Sequence, residues 1–270
     1  MVEVLVLASG SSGNAVLVRS GEVNLLVDAG VSALQLRRRL EAFGIGVGEL
    51  TAILVTHEHS DHVRGLEVLL KRDPVPVWAT AGTWEALPVR STAGGELASG
   101  RQLGFGGMRV IPVATSHDAR EPVAFVFDDG EHRLGLCTDT GTFTGLLEQR
   151  MAACDLLLVE SNHDVDLLRT GPYPWPLKQR IQGRLGHLSN DQCAEALERL
   201  RSPALRAVIG LHLSAENNLP TLVCEALGRQ VDRGVPVEAV PRSEMLRVCC
   251  DGNGVLLDRR PVPASTRSKS

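Results

Sequence analysis

The chain has 270 residues, 43% of them hydrophobic and 22% charged, with a formal net charge of −4 at pH 7. That length and apolar content suffice to bury the core of one large domain. No apolar run is long enough to span a bilayer, and the slightly acidic balance does not support a broad nucleic-acid-binding surface, so any such binding must be local.

In chain order, the apolar runs predict strands at Val2–Leu7, Ala15–Arg19, Val23–Asp28, Thr51–Val55, Val75–Trp78, Arg109–Val113, Val123–Asp128, Arg133–Thr138, Leu156–Glu160 and Ala207–Leu211. The first of these starts at the N-terminus without a basic region or cleavage site, so the expected location is cytoplasmic. After Ser32, the spacing of Ala33, Leu36, Leu40 and Phe43 predicts a helix ending near Gly44, with Arg37, Arg38 and Arg39 fanned over a solvated face. Asp129-Gly130 reads as a hairpin turn with His132 exposed beside it. Ser189 and Gln192 have capping-box spacing ahead of a helix that buries Cys193, Leu197 and Leu200. The six cysteines lack CxxC spacing, and most sit in apolar runs, which predicts reduced core residues, Cys137 included. One domain is expected over residues 1–260, followed by a disordered tail from Pro261 to Ser270.

Chemistry concentrates where the strand Thr51–Val55 runs into Thr56-His57-Glu58-His59-Ser60-Asp61-His62. In an extended segment residues i and i+2 point the same way, so His57 and His59 can converge on one ion, while Asp61 and His62, at the turn into the next helix, can face a second. Further donors follow other apolar runs: His117 after Val113, Asp139 after Leu134–Thr138, and His212 after Ala207–Leu211. The expected sets are His57, His59 and His117 for one metal and Asp61, His62 and His212 for the other. Asp139 is the expected bridge, and each ion keeps open positions for water or substrate.

With these residues in this order, together with Leu26-Val27-Asp28 and Asp139-Thr140-Gly141, nearly the whole chain resembles the metallo-β-lactamase fold superfamily of metallohydrolases. The resemblance implies an α/β architecture, a four-layer αββα sandwich. It also implies that Asp28 braces the histidine loop without binding metal, a role that a ligating imidazole asks of some acceptor. The alternative for Asp28 is a turn carboxylate before Gly30.

Three features point toward phosphodiesters. The segment after His117, Asp118-Ala119-Arg120-Glu121-Pro122, is similar to that of the superfamily's phosphodiesterases and lacks the Gly-His-Thr-Pro-Gly turn of glyoxalase-like members. His187, just ahead of the helix capped by Ser189, is placed to contact a phosphate or protonate a leaving oxygen. A competing assignment exchanges the roles of His187 and His212, against which stands the longer strand before His212. The segment Tyr173, Trp175, Lys178, Arg180 and Arg184 mixes aromatics with cations and reads either as an edge that guides a nucleic-acid strand or as a structural elbow.

The Ser/Gly loop Ala8–Asn14 offers Ser11 and Asn14 to the site or is a tight hairpin turn. With Glu160-Ser161-Asn162-His163-Asp164 and His212–Asn218, it gives the chain its similarity to the small bacterial WalJ/YycJ-like family of DNA exonucleases. That resemblance implies a 5′ to 3′ exonuclease acting on DNA rather than RNA, with Asp61 and His187 catalytic and two divalent ions, Zn²⁺ or Mn²⁺. His163 stays outside the metal set. Two other functions compete: a hydrolase of small esters, thioesters or lactones on the same metals, and a non-catalytic nucleic-acid module. The chain is too short for the large inserted domain of the longer nucleases in the superfamily.

Overall fold

Apolar runs broken by turns build two β-sheets in the computed structural model, which describes residues 1–87, 89, 93–252 and 254–264. The first half of the chain forms β1 (Val2–Ala8), β2 (Ala15–Ser20), β3 (Val23–Val27), α1 (Ala33–Glu41), β4 (Ala52–Leu54), α2 (Ser60–Val63), α3 (Leu66–Leu70), β5 (Val77–Thr80), α4 (Ala81–Ala86) and β6 (Gly94–Leu97). Next come β7 (Leu103–Phe105), β8 (Met108–Ala114), β9 (Val123–Asp128), β10 (Arg133–Cys137), α5 (Gly145–Met151), β11 (Leu156–Glu160), α6 (Val165–Thr170) and α7 (Trp175–Gln182). The chain ends through α8 (Asn190–Arg199), β12 (Ala207–Leu211), α9 (Pro220–Gly228), β13 (Val237–Ala239), β14 (Glu244–Asp251) and β15 (Gly254–Pro261). One sheet has the order β15-β14-β1-β2-β3-β4-β5-β6 and the other β13-β12-β11-β10-β9-β8-β7.

Side-chain alternation along the strands decides the layers. On β1, Val2, Val4 and Val6 pack between the sheets against Phe125, Leu134, Leu158 and Ile209. Leu5 and Leu7 point the other way, onto Leu36 and Leu40 of α1 and Leu66 and Leu69 of α3. On β11, Leu156 and Leu158 face the inter-sheet core, whereas Leu157 and Val159 meet Leu147, Met151, Cys193, Leu197, Val223 and Leu227 from α5, α8 and α9. Strands buried on both faces must be apolar at every position, and β1 and β11 are nearly so. The result is the expected αββα sandwich.

Several local expectations shift. The strand predicted at Val75–Trp78 forms at Val77–Thr80, parallel to β4. The strands β6, β7, β13, β14 and β15 went unpredicted; β6 begins Gly94-Gly95 and β13 has three residues, so neither carries a readable period. His132 is buried, with its Nδ1 3.9 Å from Cys250 Sγ across the neighbouring sheet, and not exposed. Arg39 leaves the predicted solvated face: it is buried, and a terminal nitrogen donates to Leu7 O at 2.6 Å. Pro261 completes β15, and Val262 N–H donates to Ser243 O at 3.1 Å, so the chain is not loose from Pro261 onward; residues 265–270 lie outside the described residues. All six cysteines are free, and among the described residues no helix is long and apolar enough to cross a membrane.

Candidate metal centre

The histidines and carboxylates meet because strands of both sheets deliver them at their C-terminal ends. Asp28 follows β3, His57 and His59 follow β4, His117 follows β8, Asp139 follows β10 and His212 follows β12. Asp28, Asp139 and His212 have positive φ, at 62°, 53° and 56°. A non-glycine residue there costs on the order of 1–3 kcal/mol and persists only where its surroundings hold it. His212 is held on both sides of its backbone: its N–H donates to Ser9 Oγ at 2.8 Å and its carbonyl accepts from Asn162 Nδ2 at 2.8 Å.

The four-residue helix α2, too short to stand alone, is fixed by tertiary hydrogen bonds. Ala29 N–H donates to His62 O, Gly65 N–H to Ala29 O, and Asn14 N–H to Asp61 O, each at 2.8 Å. The approach is so close that a Cβ on Gly30 would lie 1.6 Å from Asp61 O, so only glycine fits.

Three imidazole nitrogens converge in the first set. His57 Nε2 is 3.0 Å from His59 Nδ1, which is 3.3 Å from His117 Nε2. Nitrogens each bound at about 2.0–2.1 Å to one tetrahedral zinc lie roughly 3.3 Å apart, so the spacing is that of a metal site. In the second set Asp61 Oδ2 is 3.6 Å from His62 Nε2 and 3.7 Å from His212 Nε2. Asp139 lies between them, with Oδ1 3.8 Å from His117 Nε2 and Oδ2 3.2 Å from His62 Nε2. Asp139 Oδ2 and His212 Nε2 are buried without a hydrogen bond of good geometry. Buried polar atoms left in this way call for a partner, and a divalent cation fits the donors present.

The other ring nitrogens of His62, His117 and His212 are tied down, which holds those rings in place. His62 Nδ1 lies 2.7 Å from Asp28 Oδ2, whose carboxylate also accepts from Thr56 N–H and Thr56 Oγ1 at 2.8 Å. His117 Nδ1 donates to Gly186 O at 3.1 Å. His212 Nδ1 is 2.8 Å from Glu160 Oε1. Glu160 was missed as a functional residue in the sequence, although it ends the apolar run Leu156–Val159 as Asp28 and Asp139 follow theirs. Fully buried, it accepts from His187 Nδ1 at 2.7 Å as well as from the N–H groups of Thr140 and Leu188.

Burial and charge act against each other throughout. Burial, seconded by the nearby His62, pushes His57 well below the usual imidazole value, and burial also lowers His117, so both rings are held toward the neutral form that coordinates. Burial also opposes charge on His62 and His212. Asp139 and Asp28 override it at His62, which lies well above the usual value, and Asp139, Asp61 and Glu160 raise His212 to about 10. The second set thus demands positive charge, which protons or a metal can supply. Burial alone would raise Asp139 and Glu160, but the surrounding imidazoles hold Asp139 well below the carboxylate range and Glu160 at about 2. Desolvation works against protonated His187, yet Glu160 keeps it above the usual value.

The donors open on a cavity of 350 Å³ whose wall includes Ser11, Tyr173, Arg180 and His187. His187 lines that space with its Nδ1 held by Glu160. Other expected substrate residues are placed elsewhere. Asn14 is buried outside the cavity lining, its Nδ2 3.0 Å from His62 Nε2 and 3.4 Å from Asp61 Oδ2 beside the second set, and its Oδ1 accepting from Gly10 N–H. Lys178 is buried, with its ammonium donating to Arg169 O at 2.7 Å and Gly171 O at 2.8 Å; it braces the elbow between α6 and α7 and cannot meet a phosphate. Trp175 is 63% exposed at the start of α7, and neither it nor the Arg184 side chain lines the cavity. His163 is buried, its Nδ1 without a partner and its pKa lowered by burial to about 4, and it belongs to no donor set.

Two face-packed sheets between helices, with imidazoles and carboxylates gathered at the strand ends, define a metallo-β-lactamase-fold protein. Residues 23–212 match the model of the Beta-lactamase superfamily domain, and the chain belongs to that family. It is 36% identical over 222 residues to Exodeoxyribonuclease YycJ of Bacillus anthracis, spanning 80% of this chain and 84% of that protein. To Exodeoxyribonuclease WalJ of Streptococcus pneumoniae serotype 2 it is 37% identical over 243 residues, spanning 86% and 90%. The crystal structure of the metallo-beta-lactamase fold protein YhfI from Bacillus subtilis superposes with a TM-score of 0.72, covering 90% of this chain and 98% of that one; at 17% identity it speaks for the fold alone.

Proposed function

We propose that this chain is a metal-dependent phosphodiesterase that removes nucleotides from the ends of DNA, in the 5′ to 3′ direction. The observation that carries the reading is His187, held by Glu160 beside the metal donors and facing the same cavity. The identity to two exodeoxyribonucleases over most of the chain supports DNA as substrate. His57, His59 and His117 would hold one divalent ion and Asp61, His62 and His212 a second, with Asp139 between; imidazole-rich donors suit zinc, and the carboxylates admit manganese. Bound there, such ions supply positive charge for the phosphate and lower the pKa of water to near neutrality.

The chain's own residues do the rest. As water attacks phosphorus and the bond to the 3′-oxygen breaks, His187 Nε2 donates its proton to the departing oxygen. Glu160 holds the ring in the right tautomer and stabilises its protonated form. Asp28 and Glu160 keep the ligating imidazoles aimed, so little reorganisation is needed at the moment of reaction.

The test is one panel: chain loaded with Zn²⁺ or Mn²⁺ and offered end-labelled single- and double-stranded DNA, RNA, a chromogenic phosphodiester and a thioester. Progressive shortening of DNA from an end is expected. Turnover of the thioester with every phosphodiester left intact would assign the site to small esters instead.

A further inference from the structure

We propose that Arg180 binds the phosphate of the linkage next to the scissile one, and that Asp118 presents it for that purpose. The inference rests on the nuclease reading above and names the residue by which the site would recognise a chain of phosphodiesters.

Among the described residues that line the cavity, Arg180 is the only arginine or lysine, while Asp61, Asp118 and Asp139 make the wall otherwise acidic. A polyanion entering such a cavity is repelled except where metals, protonated His187 or this guanidinium meet it. Arg180 Nε and one terminal nitrogen lie 2.8 and 2.7 Å from Asp118 Oδ2. Asp118 is itself anchored: its N–H donates to Leu185 O at 3.1 Å, and its other carboxylate oxygen is 3.4 Å from Nε2 of the adjoining His117. A guanidinium has five N–H donors, so this clamp sets its plane and leaves further donors for a second anion.

The pair is also built to yield. The Arg180 side chain is 63% exposed and that of Asp118 31%, and an ion pair so open to solvent is weak enough to be shared or exchanged. Beside Arg180 on α7, Leu177 and Ile181 stand one turn apart, and with Tyr173 they give the same wall an apolar face. A cation next to an apolar surface suits a nucleotide, with phosphate on the guanidinium and sugar or base on the wall. Because this face and the metal donors share one cavity of 350 Å³, the phosphate it reaches is a neighbour of the one being cleaved.

Methylphosphonate substitution tests this, since it removes the charge of one chosen linkage. Metal-loaded wild type and Arg180→Ala would be compared on oligodeoxynucleotides in which each linkage flanking the scissile one is neutralised in turn, with metal content measured for both. For one flanking linkage, neutralisation should lower wild-type kcat/KM about 10- to 100-fold, the worth of a charge-assisted hydrogen bond. It should then cost Arg180→Ala little more, because the partner is already gone. Arg180→Lys should fall between, lacking the planar fork. Equal sensitivity of wild type and Arg180→Ala at both linkages overturns the proposal while leaving the nuclease reading intact, as does loss of metal from Arg180→Ala. Failure of wild type to cleave any unmodified oligonucleotide overturns both.

Discussion

Glu160 Oε1 accepts a hydrogen bond from His187 Nδ1 at 2.7 Å, and at 2.8 Å the same oxygen meets His212 Nδ1. One buried carboxylate thus aims an imidazole of the second donor set and charges the imidazole that faces the cavity. The shared oxygen gives the proposed division of roles its geometric basis: His212 Nε2 lies 3.7 Å from Asp61 Oδ2, whereas His187 lines the cavity with its Nδ1 held by Glu160.

His187→Ala should therefore retain metal and lose about 10²- to 10⁴-fold in kcat, the usual worth of a general acid. His212→Ala should lose metal as well as rate. Elemental analysis alongside steady-state kinetics separates the two, and the opposite pattern would exchange their roles.

Glu160→Gln removes the charge that overcomes desolvation at His187. In the wild type the protonated imidazole persists to higher pH than an ordinary histidine, so activity should hold on the alkaline side. In the variant burial prevails, the pKa falls, and the basic limb of the kcat profile should move to lower pH. An unmoved limb would mean that another group supplies the proton.

Metal binding should be unequal in its response to pH. His62 lies well above the usual imidazole value and His212 near 10 without metal, so an ion entering the second set must displace protons, and its apparent affinity should rise with pH. In the first set His57 and His117, lowered by burial, have no such protons to lose near neutrality. Chelator competition between about pH 6 and pH 9 should show one site weakening first on acidification, and two sites weakening in parallel would contradict this.

Gly30→Ala introduces a Cβ only 1.6 Å from Asp61 O, against backbone that cannot swing aside. Overpacking of this kind costs about 1–3 kcal/mol or more. The strain falls on the loop that carries Asp61 and His62, so metal retention should drop along with the melting temperature. Unchanged metal content and stability would show that the two loops are less tightly docked than the structure has them.

Much of the donor set was legible in sequence because its signals are local. A histidine or aspartate at or near the end of an apolar strand is visible at His57, His117, Asp139 and His212, and the i, i+2 geometry of His57 and His59 follows from extended backbone alone. The two-faced burial of β1 and β11 likewise appears as nearly unbroken apolar runs. What lay beyond reach depends on pairs distant along the chain. Lys178 carries the same charge whether it meets a phosphate or two carbonyls at the end of α6, and only the docking of α6 against α7 turned it inward. Asn14 became a buried prop because α2 lies across its loop, and Glu160 became the shared brace because β10, β11 and β12 run side by side. Periodicity reports which face a residue shares with its neighbours in sequence; which groups it meets across a layer is decided when the sheets close, by packing and by the hydrogen bonds that buried polar groups must find.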